Sequence, residues 1–116
     1  MAVRKALVVD DEQDARNVLS RMLELFCPEV QQIFEASDGK QALAIARQES
    51  IDLAFVDIEL RQENGIALKE DLAPLCRKIV FVSAHEGWAD DPQLGDTPYL
   101  FKPVVPATLQ QLVAKV

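Results

Sequence analysis

The sequence predicts an α/β fold: a doubly wound parallel sheet of five strands built from five β/α units. Three observations predict it. Short apolar runs alternate with helical patterns from one end of the chain to the other. The runs are apolar at every position rather than at every second one, as in strands covered on both faces. The length, 116 residues, fits one domain, taken as 1–116, with a core large enough to hold without staples.

The elements follow in order. Ala6-Leu7-Val8-Val9 is a buried strand run. Ala15, Val18, Leu19, Met22, Leu23 and Phe26 then recur at helical spacing and form one apolar face, with Pro28 marking the end. Residues 32–36 read as a second strand. Ser37-Asp38-Gly39 is a turn in which Ser37 or Asp38 can cap a short helix carrying Ala42, Leu43 and Ala46. Leu53 to Val56 form a third strand ending at Asp57. Residues 61–65 are a polar loop, and a third helix runs from Gly65 to Leu72 and closes at Pro74. Ile79 to Val82 are the fourth strand, ending at Ser83. Tyr99 to Phe101 are the fifth, ending at Lys102-Pro103. Leu109, Leu112, Val113 and Val116 share one face of a last helix with Pro106 near its start. The segment from Glu86 to Pro98 holds Gly87, Pro92 and Gly95, and leaves room for a short helix at most.

Composition narrows the function. Hydrophobic residues make up 49% of the chain and charged residues 27%, a globular composition. With 12 Lys+Arg against 19 Asp+Glu, the net charge is −7, which disfavours direct binding to nucleic acid or to an anionic membrane. No apolar run approaches the roughly 20 residues of a membrane span. Asp10-Asp11-Glu12 interrupts the N-terminal apolar stretch too early for a signal peptide. Cys27 and Cys76 are expected as reduced core thiols of a cytoplasmic protein, and a single histidine without a CxxC excludes a common structural zinc site.

Ligands of open α/β sheets bind beyond the carboxyl ends of the strands. Asp10 and Asp11 follow strand one, Asp57 ends strand three, Ser83 ends strand four and Lys102 ends strand five. Singly, such residues are turn formers, caps or surface charges. Together they bring three carboxylates, a hydroxyl and an ammonium to one sheet edge. Two carboxylates about 4 Å apart repel by about 4 kcal/mol at an effective dielectric near 20. Lys102 offsets one charge, and a hard divalent cation is the natural partner for the rest. Mg²⁺ takes one or two carboxylates, waters and phosphate oxygens. Such a site suits phosphoryl transfer to a carboxylate nucleophile.

These residues resemble the receiver domain of two-component response regulators. The matching pieces are Val8-Val9-Asp10-Asp11-Glu12, Phe55-Val56-Asp57 with Gly65 eight positions on, Val82-Ser83-Ala84, and Tyr99-Leu100-Phe101-Lys102-Pro103. They cover nearly the whole chain in order. The resemblance implies a flavodoxin-like sheet of order 2-1-3-4-5. It implies Asp57 as phospho-acceptor, taking a phosphoryl group from a sensor histidine kinase or phosphotransfer protein. Asp10, Asp11, Asp57 and the backbone carbonyl of Glu59 would hold Mg²⁺, with Asp11 the more direct of the acidic pair. Ser83 would bond the phosphoryl group, Lys102 would contact it from beside a cis Lys102-Pro103 bond, and Tyr99 would be the aromatic switch. The domain would catalyse only its own phosphorylation and dephosphorylation and would pass the signal to an output domain or downstream protein, with homodimerisation open.

Departures from the family pattern are informative. Many receivers carry Met-Pro shortly after the acceptor; here residues 58–64 read Ile-Glu-Leu-Arg-Gln-Glu-Asn. That loop, with Phe81-Val82-Ser83-Ala84 and Tyr99 to Val104, resembles receivers of LytTR-type DNA-binding regulators. Ser83 and Lys102 are only 19 positions apart, so helix four is expected to be shortened or absent. The Glu59 side chain is expected to face solvent at the rim, the alternative being a water-mediated contact to the metal or an effect on hydrolysis. His85 is expected as a solvated loop residue, and Trp88 as a hydrophobic plug over the thinned segment or as a partner anchor. Two other functions compete: a degenerate receiver that only binds proteins, and a small aspartyl-phosphate phosphatase. The latter is disfavoured by Asp57-Ile58-Glu59, which is not Asp-x-Asp, and by the lack of room for a cap.

Overall fold

The computed structural model describes residues 4–88 and 91–116. The first strand, β1, spans Lys5–Val9; α1, Gln13–Phe26; β2, Gln32–Ala36; α2, Gly39–Gln48; β3, Ile51–Asp57; α3, Gly65–Leu72; β4, Cys76–Ser83; β5, Tyr99–Phe101; and α4, Pro106–Ala114. The strands form one parallel sheet in the order β2-β1-β3-β4-β5. Between β4 and β5 the described residues hold two single 3₁₀ turns, Glu86–Trp88 and Pro92–Leu94. The short helix allowed for this segment is thus two turns, and residues 89 and 90 lie outside the described part.

The core has two halves because the sheet is covered on both faces. Leu7, Val9, Ala54, Val56 and Phe81 point to the side packed by α2 and α3, where Trp88, Leu94 and Tyr99 join them. Ala6, Val8, Leu53, Phe55, Val80 and Val82 point the other way, against Leu19 and Leu23 of α1 and Leu109 and Val113 of α4. This alternation within fully apolar strands is what a doubly wound sheet requires. The two free, buried thiols fall on opposite faces, Cys76 with the first set and Cys27 with the second. Burial pushes the Cys76 thiol up to about 11.

Local chemistry sets the boundaries. Asp38, not Ser37, caps α2 by accepting from the Gln41 amide at 2.8 Å, while Ser37 donates to the Gln41 side chain. Asn64 caps α3, accepting from Ile66 N at 2.7 Å, a cap the sequence reading did not single out. β4 begins at buried Cys76, earlier than the apolar run, because the backbone of exposed Arg77 and Lys78 carries the pairing with β3 back to it. Gly65 is required by close approach: a Cβ there would run into the Asp57 carbonyl and the Ile58 Cα, both backbone. The Gly65 amide donates to Ile58 O at 3.1 Å, which packs the start of α3 against the end of β3.

Candidate phosphoryl-acceptor site

Parallel register carries Asp10, Asp57, Ser83 and Lys102 to one edge of the sheet. Val9 pairs with Val56, Asp57 with Val82, and Ser83 with Phe101, so each polar residue emerges at or just past the last rung of its strand. The rungs continue past the strands: Ile58 N donates to Val82 O at 3.0 Å and Lys102 N to Ser83 O at 2.8 Å. The Lys102-Pro103 peptide is cis.

The ammonium of Lys102 lies between two carboxylates, 2.7 Å from Asp10 Oδ2 and 3.2 Å from Asp57 Oδ2. Asp10 and Asp57 are each only 4% exposed. The remaining oxygens are held by backbone: Glu12 N donates to Asp10 Oδ1 at 2.9 Å and Glu59 N to Asp57 Oδ1 at 3.0 Å. Asp11 is more open. It accepts from Arg61 N at 3.0 Å and pairs with the exposed Arg61 guanidinium at 3.5 Å. One oxygen from each of Asp10, Asp11 and Asp57 lies within 4.8 Å of the others.

Burial is the largest influence on Asp57, and the Asp10 charge adds to it; together they outweigh Lys102 and the Glu59 amide and push the carboxyl up to about 6. Burial pulls the Lys102 ammonium down, but the bond to Asp10 and the charges of Asp57 and Asp10 prevail, and the net shift is upward. Lys102 therefore stays charged, and one cation does not fully offset the carboxylates around it. Three carboxylate oxygens converging without sulfur or imidazole form an all-oxygen donor set, which fits a hard divalent cation.

On the β4 side the arrangement differs. Ser83 is fully buried, and its hydroxyl lies 2.9 Å from both oxygens of Glu59, to which it donates. The His85 amide donates back to Ser83 Oγ at 2.9 Å. The Trp88 indole N–H donates to Glu59 Oε2 at 2.8 Å. This corrects the expectation that the Glu59 side chain faces solvent: it is half-buried and turned inward, because a hydroxyl and an indole N–H from β4 and the turn after it offer it partners. Trp88 packs against the core as a plug, His85 is exposed, and Tyr99 lies half-buried edge-on to Phe101, ring centroids 5.1 Å apart. Sequence reasoning placed Glu59 and Ser83 near the edge and Trp88 as a plug or partner anchor, but missed that they are joined through Glu59, and also missed Arg61.

The family model for the response regulator receiver domain matches residues 6–114. The chain belongs to the response regulator receiver family. Curated relatives of this receiver include the sensory transduction protein LytR of Staphylococcus epidermidis, 37% identical over 97% of the chain and 45% of the relative. The transcriptional regulatory protein LytR of Staphylococcus aureus is 34% identical over 97% of the chain and 46% of the relative. The receiver thus spans less than half the length of these relatives. Among solved structures, response regulator TrrA of Thermotoga maritima in complex with Mg²⁺-BeF superposes with a TM-score of 0.82 at 26% identity, covering 97% of each chain. A CheY-like receiver domain of Methylobacillus flagellatus superposes with a TM-score of 0.85 at 26% identity, covering 98% of each chain.

Proposed function

We propose that this receiver accepts a phosphoryl group on Asp57 in a Mg²⁺-dependent reaction, from the phosphohistidine of a sensor histidine kinase or phosphotransfer protein, and so switches an output surface. The observation that carries this reading is the Lys102 ammonium bridging Asp10 and Asp57, with Asp11 in the same cluster.

Asp57 is the nucleophile: one carboxylate oxygen attacks phosphorus, a P–O bond forms, and the P–N bond to the donor imidazole breaks. The Glu59 amide and Lys102 hold the carboxylate in place, and Lys102 supplies a positive charge beside the transferring oxygens. The Ser83 hydroxyl is a donor for the phosphoryl group once it arrives. Asp10, Asp11, Asp57 and the Glu59 carbonyl would hold Mg²⁺, which, when bound, neutralises charge on the phosphoryl oxygens. Hydrolysis later returns the carboxylate and releases inorganic phosphate; no other substrate is turned over. Tyr99 is proposed as an aromatic that responds to Ser83. The LytR relatives are named as transduction and transcriptional regulatory proteins, which supports a cytoplasmic regulator whose output, beyond this domain, controls transcription.

A phosphorylation-independent interaction module is the second reading, favoured by the two 3₁₀ turns in place of a regular helix. Incubation with acetyl phosphate and Mg²⁺, followed by intact-mass measurement, separates the two. The phospho-acceptor reading expects the mass gain of one phosphoryl group, lost when the metal is chelated; no gain under conditions that label a known receiver contradicts it.

A further inference from the structure

The bonds around Glu59 serve no evident purpose in accepting a phosphoryl group. Glu59 lies two residues after the acceptor, and its amide already donates to Asp57 Oδ1. Its side chain turns away from the acidic cluster and gathers donors from the start of the β4–β5 connection. These are the Ser83 hydroxyl at 2.9 Å, the Trp88 indole N–H at 2.8 Å and, at the long limit of 3.4 Å, the Ala84 amide. One carboxylate thus ties together the hydroxyl that ends β4 and the aromatic that plugs the following 3₁₀ turn.

A serine hydroxyl has one proton to give. Ser83 Oγ already accepts from His85 N, and its proton is directed to Glu59. A phosphoryl group on Asp57 is a competing acceptor with more negative charge and three oxygens. The hydroxyl cannot satisfy both. Ser83 is fully buried, so its proton goes to an internal acceptor rather than to bulk water: the Glu59 carboxylate at 2.9 Å, the more distant His85 carbonyl at 3.3 Å, or the phosphoryl group once it is present. Loss of the hydroxyl, and the proximity of a new anion two residues away, both weaken the hold on the Glu59 carboxylate. The indole bond and the long Ala84 amide contact are the ties that remain on the Glu59 carboxylate, and the Trp88 side chain otherwise rests half-buried against the core face.

We propose that Glu59 is an internal competitor for the Ser83 hydroxyl and that the Glu59–Trp88 bond is the latch it controls: phosphorylation of Asp57 draws Ser83 away, and the Trp88 turn is released. This rests on Asp57 being the phospho-acceptor. It adds a second route by which the site reaches the molecular surface, through Trp88 on the β4–β5 connection rather than through Tyr99 on β5. It also makes Glu59 a positioning residue that restrains uptake of the phosphoryl group, because the Ser83 proton must leave it first.

The chain has a single tryptophan, so its indole N–H gives one resonance in a ¹H–¹⁵N spectrum. The experiment follows that resonance in the intact protein during incubation with acetyl phosphate and Mg²⁺, while intact mass reports phosphoryl gain on the same sample. The expected result is an upfield move of the indole proton in step with the mass gain, as the carboxylate bond is lost. Glu59→Gln, nearly isosteric but uncharged, should show the upfield position before any addition. It should also move less than a third as far on phosphorylation and take up the phosphoryl group several-fold faster. Glu59→Ala, which removes the acceptor altogether, should also show the upfield position before any addition. Phosphoryl gain with an unmoved indole resonance, or the same displacement in wild type and both variants, overturns the latch and leaves the acceptor intact. No phosphoryl gain at all removes the acceptor reading and the latch with it.

Discussion

Two halves of one sheet edge handle negative charge in opposite ways. On the β1–β3–β5 side, Asp10 and Asp57 are buried and share a cation, Lys102, at 2.7 and 3.2 Å. On the β3–β4 side, among the described residues, the Glu59 carboxylate is met by neutral donors: a hydroxyl, an indole and, at 3.4 Å, the Ala84 amide. The first half is anchored by backbone amides and remains under-compensated, with Asp57 held up to about 6 by burial and by Asp10. The second half is bonded, among the described residues, without a cation. The difference teaches that the under-compensated half is built to receive positive charge or a transferred group, whereas the neutrally bonded half is built to exchange one hydrogen-bond acceptor for another. A neutral donor moves more cheaply than an ion pair, since truncating or leaving a buried charge unpaired costs several kcal/mol.

The largest way to break this contrast is at the proposed acceptor. Asp57→Asn keeps the shape and removes the proposed nucleophile, so phosphoryl uptake from acetyl phosphate should disappear while the circular dichroism spectrum is retained; full labelling by mass would place the acceptor elsewhere. Next comes Lys102. Lys102→Met leaves two buried carboxylates without their shared cation and removes the donor proposed for the transferring oxygens. The uptake rate should fall by about 10²–10³, and a rate within a factor of three of wild type would show that the ammonium is not part of the reaction.

The third concerns stability and pH. The folded-state pKa of Asp57 lies above its ordinary value, at about 6. The folded state therefore binds the proton more tightly than the unfolded chain does. This contribution to stability is fully present below about pH 4 and is lost as pH rises through about 6. In metal-free buffer Asp57→Asn should stabilise the protein at pH 7 by about 1–3 kcal/mol, with the gain fading toward pH 4. Urea melts at the two pH values check it, and an equal effect at both would show that the Asp57 charge is already fully compensated.

The smallest expected effects sharpen the metal half. Asp11→Ala should weaken Mg²⁺ binding by about tenfold, the loss of one charged ligand at about 1.4 kcal/mol. Arg61→Ala should strengthen it by a few-fold, because the guanidinium competes for the Asp11 carboxylate, while the backbone amide bond is retained. Calorimetric titrations that leave both affinities unchanged would remove Asp11 from the site.

The cation-sharing half was legible in the sequence because each residue there follows an apolar strand run. Parallel strands deliver their carboxyl ends to one edge, so Asp10, Asp11, Asp57 and Lys102 could be collected from the strand boundaries alone. Of the other half only Ser83 could be placed that way; the bonds it takes part in could not. The Glu59–Trp88 bond joins residues 29 positions apart, one in a loop and the other in a turn outside the regular elements. No periodicity links them, and a glutamate in a polar loop reads as solvated. Arg61 escaped for the same reason, since its partner Asp11 is 50 positions earlier. The start of β4 was hidden by Arg77 and Lys78, whose side chains are exposed although their backbone continues the sheet.

The most direct measurement is chemical trapping of the modified residue. After reaction with acetyl phosphate, borohydride reduces an aspartyl phosphate to homoserine, and peptide mass mapping locates it. Homoserine at position 57, present with Mg²⁺ and absent with chelator, is the expected result. Homoserine at another aspartate, or at position 57 to the same extent without metal, would contradict the account.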